Sequence, residues 1–401
     1  MHPPGAGPFT GCENTPVVSN IDLSFKEQPR YAKDVLDEYR YFGLYGFPSQ
    51  GVSPSVYQDS WSTIHQEPAR PEQLKAYLLS LQNRDLMNFA CQQDTSMELQ
   101  DFLRRPAKDL SLVISRFAAL MLPMAGDPVG NYVSQVLLEK LEADDFVNVA
   151  RGIFEHAYEL AVHVHATRVL QKAVKLTILK GGNLMVEMLE ILKPILPHLA
   201  ADPNGCYLVM LLLEERNEFA ADCVVDIAED LVHQRWGVVT LKKCVEFMGM
   251  KQKEKLELLF ARKFKEIATD PFGNYALHHF LNHVEFLQNN LVQACLDHFE
   301  FLCTNKYACN CVDIVVKKCL GSTHLEQLLT KSFINLSDTS IRSITLDRYG
   351  FPVILRCLEI PEIFNTFKFS LSDIVSEALR TGDGRVRKLI DRHPQLRPTN
   401  N

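Results

Sequence analysis

Asp127-Pro128-Val129-Gly130-Asn131-Tyr132 recurs as Asp202-Pro203-Asn204-Gly205-Cys206-Tyr207 and again as Asp270-Pro271-Phe272-Gly273-Asn274-Tyr275. The intervals, 75 and 68 residues, are each about two units of roughly 36, and similar helix starts sit in the gaps. A period of that size marks a solenoid, in which each unit packs only on its neighbours. The hexapeptide itself is built to start a helix. Asp accepts a backbone N–H as the cap, Pro takes a first position where no N–H is needed, and Gly lets a neighbouring backbone come close. Asn131, Tyr132 and Gln135 then stand at positions 1, 2 and 5 of the new helix.

Sliding this frame along the chain locates eight first positions: Ser96, Asn131, Thr167, Cys206, Val238, Asn274, Cys309 and Phe351. Their spacings are 35, 36, 39, 32, 36, 35 and 42, so the phase is kept throughout. From Pro71 onward apolar residues follow helical spacing, as in Leu74, Tyr77, Leu78 and Leu81, which makes the body all-α. The first 60 residues hold seven Pro and six Gly, a composition that disfavours long helices. Residues 1–72 read as a partly disordered extension or cap, 73–395 as the repeat array, and 396–401 as a tail. Ile363 to Ile390 reads as a terminal helical cap, followed by basic residues such as Arg392 and Arg397.

The net charge of −7 argues against a protein held to nucleic acid mainly by neutralising phosphates, so any such binding must use bases. Eleven cysteines scattered through apolar segments read as reduced thiols rather than a disulfide framework. The N-terminus lacks the features of a signal peptide, and the most apolar stretch, Leu110 to Met124, is short and interrupted by Arg116. The expectation is a cytoplasmic protein with no membrane span. Cys303, Cys309, Cys311 and Cys319 do not have zinc-site spacing, and His163 and His165 have no acidic or thiol partner nearby in sequence. With no P-loop, Gly-x-Ser-x-Gly or His-Glu-x-x-His, the chain reads as a binding module without catalytic residues, metal or cofactor.

Positions 1 and 5 lie on one face of a helix, with position 2 rotated about 100° beside them. Each unit therefore presents a fork and a flanking plate. The forks address base edges: Ser96 with Gln100, Asn131 with Gln135, Thr167 with Gln171, and Asn274 with His278. The plates are Met97, Tyr132, Arg168, Tyr207, Tyr275 and Asn310. A row of such helices would let unstacked bases slot between plates while forks read their edges.

These residues resemble the Pumilio, or PUF, family of single-stranded RNA-binding proteins over roughly residues 73 to 395. The resemblance implies a crescent-shaped, right-handed α-solenoid of eight three-helix repeats with terminal caps. It further implies RNA running antiparallel to the chain, a target in mRNA 3′ untranslated regions, and post-transcriptional repression. Co-repressors or deadenylase machinery would bind the convex face of a monomer. An amide pair suits uracil, and Gln171 beside Thr167, like Gln100 beside Ser96, suits adenine. Unit seven, Cys309, Asn310 and Asp313, looks like the family's guanine-reading repeat with Cys for Ser and Asp for Glu. Read from unit eight back to unit one, the array gives 5′-(U)-G-U-n-n-A-U-A-3′. Unit four (Cys206, Tyr207, Met210), unit five (Val238, Val239, Lys242) and unit eight (Phe351, Pro352, Leu355) depart most from the pattern. Two alternatives are a peptide-gripping α-solenoid scaffold and a PUF-like nucleolar factor of ribosome assembly.

Overall fold

The computed structural model describes residues 71–105, 110–285, 288–382 and 384–398. The extension expected over residues 1–72 thus lies outside the described residues except for its last two, as do residues 399–401 of the tail. Among the described residues there are 26 α-helices and no strand. They group as eight triplets, each a longer outer helix, a short bridging helix and an inner helix, with two helices left over at the C-terminal end. In unit six, for example, these are Met250–Arg262, Phe264–Thr269 and Gly273–His283.

The eight inner helices carry the five-residue pattern and are numbered by unit. They are α1 Gln93–Arg104, α2 Gly130–Lys140, α3 Ala166–Lys180, α4 Cys206–Glu214, α5 Arg235–Phe247, α6 Gly273–His283, α7 Cys309–Cys319 and α8 Gly350–Cys357. Each packs on the next from α1 through α8. Most of the outer helices stack likewise, including the run from Glu218–Asp226 through Met250–Arg262, Asn289–Leu296 and Thr323–Ile334 to Pro361–Thr381. That last helix occupies the place of a ninth outer helix, which is why the stretch after unit eight reads as a cap. Its Phe367 stands edge-on to Phe333 at 5.8 Å, and Phe333 in turn meets Phe299 at 5.4 Å, so one aromatic relay crosses the final unit boundaries. Arg116, which breaks the apolar stretch in sequence, donates to the carbonyls of Leu78, Leu79 and Leu81 and so closes the end of the first outer helix, Pro71–Ser80.

The Asp-Pro-x-Gly turn works as its chemistry requires. The Asp127 backbone is extended (φ −80°, ψ 138°), and one carboxylate oxygen accepts the N–H groups of Val129 and Gly130 at 2.8 and 2.6 Å. Asp202, Asp270, Asn305 and Asp347 take the corresponding two N–H groups in units four, six, seven and eight. In unit three the acceptor is the His163 imidazole, whose Nδ1 receives the N–H of His165 and of Ala166, both at 3.2 Å. Only units one and five lack this device, and there the helix begins three residues before position 1, at Gln93 and Arg235.

The glycine of the motif sits where the inner helix nearly touches the preceding bridging helix. A Cβ on Gly237 would lie 2.5 Å from the Leu231 carbonyl oxygen, and on Gly350 2.6 Å from that of Ile344. Units three and seven hold Ala166 and Ala308 at the same place, both fully buried, so the approach there is wide enough for a methyl group.

Two outcomes follow for stability. Gly237→Ala should cost about 1–3 kcal/mol in chemical denaturation, because backbone rather than a movable side chain opposes the new methyl. The His163 cap needs a neutral imidazole, and burial, with the nearby His165, holds its pKa below the ordinary 6.5. Its contribution is therefore complete above the unfolded value and is lost as pH falls toward the lowered folded value. Thermal melts of His163→Asp should show a smaller loss of stability between about pH 7 and pH 5.5 than the parent chain, since a carboxylate keeps its acceptor there.

Candidate nucleic-acid interface

Because eight helix starts share one phase, each motif position can be compared across units. Position 1 is buried in all of them: Ser96, Asn131, Thr167, Cys206, Val238, Asn274, Cys309 and Phe351 are at most 8% exposed. Position 2 is exposed in all of them, from Val239 at 37% to Met97 at 60% among the apolar and aromatic residues, and Arg168, Asn310 and Pro352 follow suit. Position 5 is half-buried at Gln100, Gln135, Gln171, Met210, Lys242, His278 and Asp313, and buried only at Leu355. Units four and five keep this pattern in full, and unit eight departs from it only in burying Leu355.

Burial gives position 1 a different task from the equal share in a fork that its sequence suggests. The Asn131 amide donates to the carbonyls of Asp127 and Pro128, both at 2.9 Å, and Asn274 donates to the Asp270 carbonyl at 2.7 Å. What remains of Asn131 is its Oδ1, and this accepts Gln135 Nε2 at 3.1 Å. The hydroxyls of Ser96 and Thr167 likewise accept Nε2 of Gln100 and Gln171, at 3.3 and 3.0 Å. In these three units position 1 holds the position-5 amide by its nitrogen. The Gln oxygen stays outward, and in α1 it already accepts from Arg104. Position 5 is thus the more accessible polar group of each such pair, with position 1 orienting it.

Units four, six and seven do not join positions 1 and 5 in this way. Cys206 and Cys309 turn their thiols to the carbonyls of Pro203 and Lys306, both at 3.7 Å. Burial pushes the Cys206 pKa up to about 11 and raises that of Cys309, so both act as S–H groups and not thiolates. His278 is held by Asn282, whose amide donates to Nδ1 at 3.3 Å. Burial, then the Lys242 charge from the preceding unit, lowers the His278 pKa, which favours the neutral ring. Asp313 is engaged bidentately by Arg356 of α8, with Nε 2.7 Å from Oδ1 and Nη2 3.2 Å from Oδ2.

One pair of plates meets directly across a unit boundary. The Arg168 guanidinium lies 5.7 Å from the centre of the Tyr207 ring, bringing unit three against unit four with no residue between. At the far end, a cavity of about 400 Å³ lies between α8 and the helix Arg385–Arg392, with Phe351, Pro352 and Leu355 on one side and Lys388, Asp391 and Arg392 on the other.

Two features escaped the sequence reading. His163 is a cap and not a stray imidazole; the signal was its offset of four residues before position 1, which it shares with Asp127, Asp202 and Asp270. Arg356 contacts a motif residue from outside the motif, and its distance of 43 residues from Asp313 gave no local cue.

A family model for the Pumilio-family RNA binding repeat matches residues 156–176 and 263–288, which contain the helix starts of units three and six. The chain is similar to Pumilio homolog 12 of Arabidopsis thaliana, 24% identical over 269 residues that cover 64% of this chain and 44% of the relative. It spans between 38% and 50% of the length of three such relatives. Two solved structures share its fold. One is the RNA-binding domain of yeast Puf5p bound to SMX2 RNA, with TM-score 0.66, 18% identity, 80% of this chain and 99% of that one. The other is the Puf4 RNA-binding domain bound to an HO endonuclease RNA 3′ UTR recognition sequence, with TM-score 0.65, 20% identity, 76% of this chain and 97% of that one.

The division of labour between positions 1 and 2 can be measured without any ligand. Asn131→Ala should destabilise the fold by about 1–2 kcal/mol, as two turn carbonyls lose their donor inside the core. Tyr132→Ala, at a position 58% exposed, should stay within about 0.5 kcal/mol of the parent in the same denaturation experiment.

Proposed function

We propose, starting from a chain that belongs to the Pumilio family, that its array binds single-stranded RNA sequence-specifically, one base to a unit. The observation that carries this is the burial order shared by all eight units. Three tyrosines at the same helical position, Tyr132, Tyr207 and Tyr275, are between 40% and 59% exposed. A fold gains nothing by repeatedly setting aromatic rings in water, whereas bases stack on such rings with about 1–3 kcal/mol each. Beside Tyr132 and Tyr275 the half-buried Gln135 and His278 are held by hydrogen bonds to Asn131 and Asn282, so little ordering is needed when a base edge arrives.

The proposed target is of the form 5′-(U)-G-U-n-n-A-U-A-3′, with RNA antiparallel to the chain. Gln135 and neutral His278 can each donate and accept, which suits uracil. Gln171 and Gln100 face adenine, with Arg168 and Met97 beside them. Asp313, an acceptor only, faces guanine. Cys206, Met210 and unit five leave the two n positions without a reading group. The 3′ UTR sequence bound by the Puf4 structure supports an mRNA 3′ untranslated region as the target. We place the protein in the cytoplasm as a monomeric post-transcriptional repressor whose outer surface recruits co-repressors or deadenylation machinery.

RNA selection with the full chain should enrich this motif. Replacing Asn131→Ser together with Gln135→Glu should move the base preferred by unit two from U to G, since a carboxylate accepts both Watson–Crick donors of guanine. Unchanged preference at that one base would overturn the register. Tyr275→Ala should weaken RNA binding by about 1–3 kcal/mol while leaving the melting temperature in place.

A further inference from the structure

The inner helices are tied together by ion pairs with a fixed address, the sixth and ninth positions counted from the motif. Lys172, position 6 of unit three, pairs with Glu139, position 9 of unit two. Lys243, position 6 of unit five, pairs with Glu214, position 9 of unit four, at 3.0 Å. His279, position 6 of unit six, faces Glu246, position 9 of unit five, at 3.7 Å, but as a neutral ring, since burial lowers its pKa, so it keeps the address without the charge. A basic side chain at position 6 thus finds its acid at position 9 of the preceding unit.

Unit eight breaks the rule in one place. Arg356 is its position 6, but position 9 of unit seven is Lys317, of the same charge. Denied that partner, Arg356 reaches instead to position 5 of unit seven and takes both oxygens of Asp313. The two side chains are 32% and 30% exposed, so the pair is partly withdrawn from water. Nε–H and Nη2–H of a guanidinium are parallel donors on one planar edge, and N1–H and N2–H of guanine are the same device. Two such edges cannot occupy one short carboxylate together.

We propose that Arg356 is a built-in competitor for the unit-seven site, occupying Asp313 in the free chain, and that guanine binds there by displacing it. The proposal rests on the reading of Asp313 as the guanine-facing group. A place for the displaced side chain exists: the cavity beside α8 is lined by Arg356 itself and by Asp391, an acid on the far wall. Uracil and cytosine lack two parallel donors on the pairing edge and cannot make the exchange. They meet a carboxylate already neutralised.

The test uses the full chain and fluorescence anisotropy with short RNAs that differ only in the base opposite unit seven. Arg356→Met should tighten binding of the guanine RNA about threefold to fivefold, the range of a partly exposed ion pair, and should not tighten the uracil RNA. Lys317→Glu keeps Arg356 but restores its customary partner, and should shift guanine affinity in the same direction. In the Arg356→Met background Lys317→Glu should give no gain. Guanine affinity that falls or stays constant in Arg356→Met, in a chain that still prefers guanine at this site, overturns the proposal alone. A parent chain with no preference for guanine there overturns the reading of Asp313 beneath it. Unchanged melting temperatures of the variants guard against a folding effect.

Discussion

One acceptor atom, four residues before position 1, takes two backbone N–H groups and starts the inner helix at a fixed rotation. Everything on the motif face depends on that rotation, because positions 1, 2 and 5 differ only in where they lie around the helix. In six of the eight units the acceptor is a carboxylate, an amide or an imidazole, with contacts between 2.6 and 3.2 Å. The requirement is for an acceptor of the right reach, not for a residue type, which is how Asn305 and His163 serve where Asp serves elsewhere. Where no acceptor stands, at Gln92 and Gln234, the helix is not cut short and begins three residues before position 1. Stacking of each inner helix on its neighbours then sets the register that the cap does not.

The repeat was legible in the sequence because a turn with a cap, a proline and a close-packed glycine admits few residue types. Three near-copies sufficed to set the frame, and the eight helix triplets follow it. Val238 and Phe351 carried no recognisable motif letters, yet they are 6% and 5% exposed like every other first position. Phase, not identity, identified them. What could not be read was the use to which each polar atom is put. Asn131 has the same formula whether its amide faces a base or its own turn, and only coordinates show the amide hydrogen-bonded to Asp127 and Pro128. Long-range partners are invisible for a related reason. Arg116 and Arg356 act across 35 to 43 residues, on groups that no local pattern links to them.

Burial order also separates what the fold needs from what recognition would use. Position 1 varies among Ser, Asn, Thr, Cys, Val and Phe, and where such a side chain is polar its hydrogen bonds go to its own turn and helix. Position 5 varies more in chemistry, from Gln to Met, Lys, His, Asp and Leu, at little cost to packing because the tip of the side chain remains near solvent. Substitution there changes the offered edge and leaves the helix in place. The neighbourhood adds a further level of control: Lys242 contributes no amide of its own but helps keep His278 neutral one unit away.

Inter-unit ion pairs lie on the same helices as the motif, one position beyond its end, so the array's cohesion and its chemistry share a narrow strip. Each charged pair between positions 6 and 9 engages a cation that stands beside position 5 and leaves the position-5 group alone. This sorting works only while charges alternate along the strip. A single reversal, Lys317 where an acid would stand, sends the next cation into the motif, and Asp313 becomes the one position-5 carboxylate and also the one held by an arginine of the following unit. Such a carboxylate left bare would repel the carbonyl-bearing edges of pyrimidines and carry an unpaired charge in a half-buried site. Pairing it with the Arg356 guanidinium satisfies that charge, so the same reversal at Lys317 that breaks the ladder also sets a cation on the one acidic position 5.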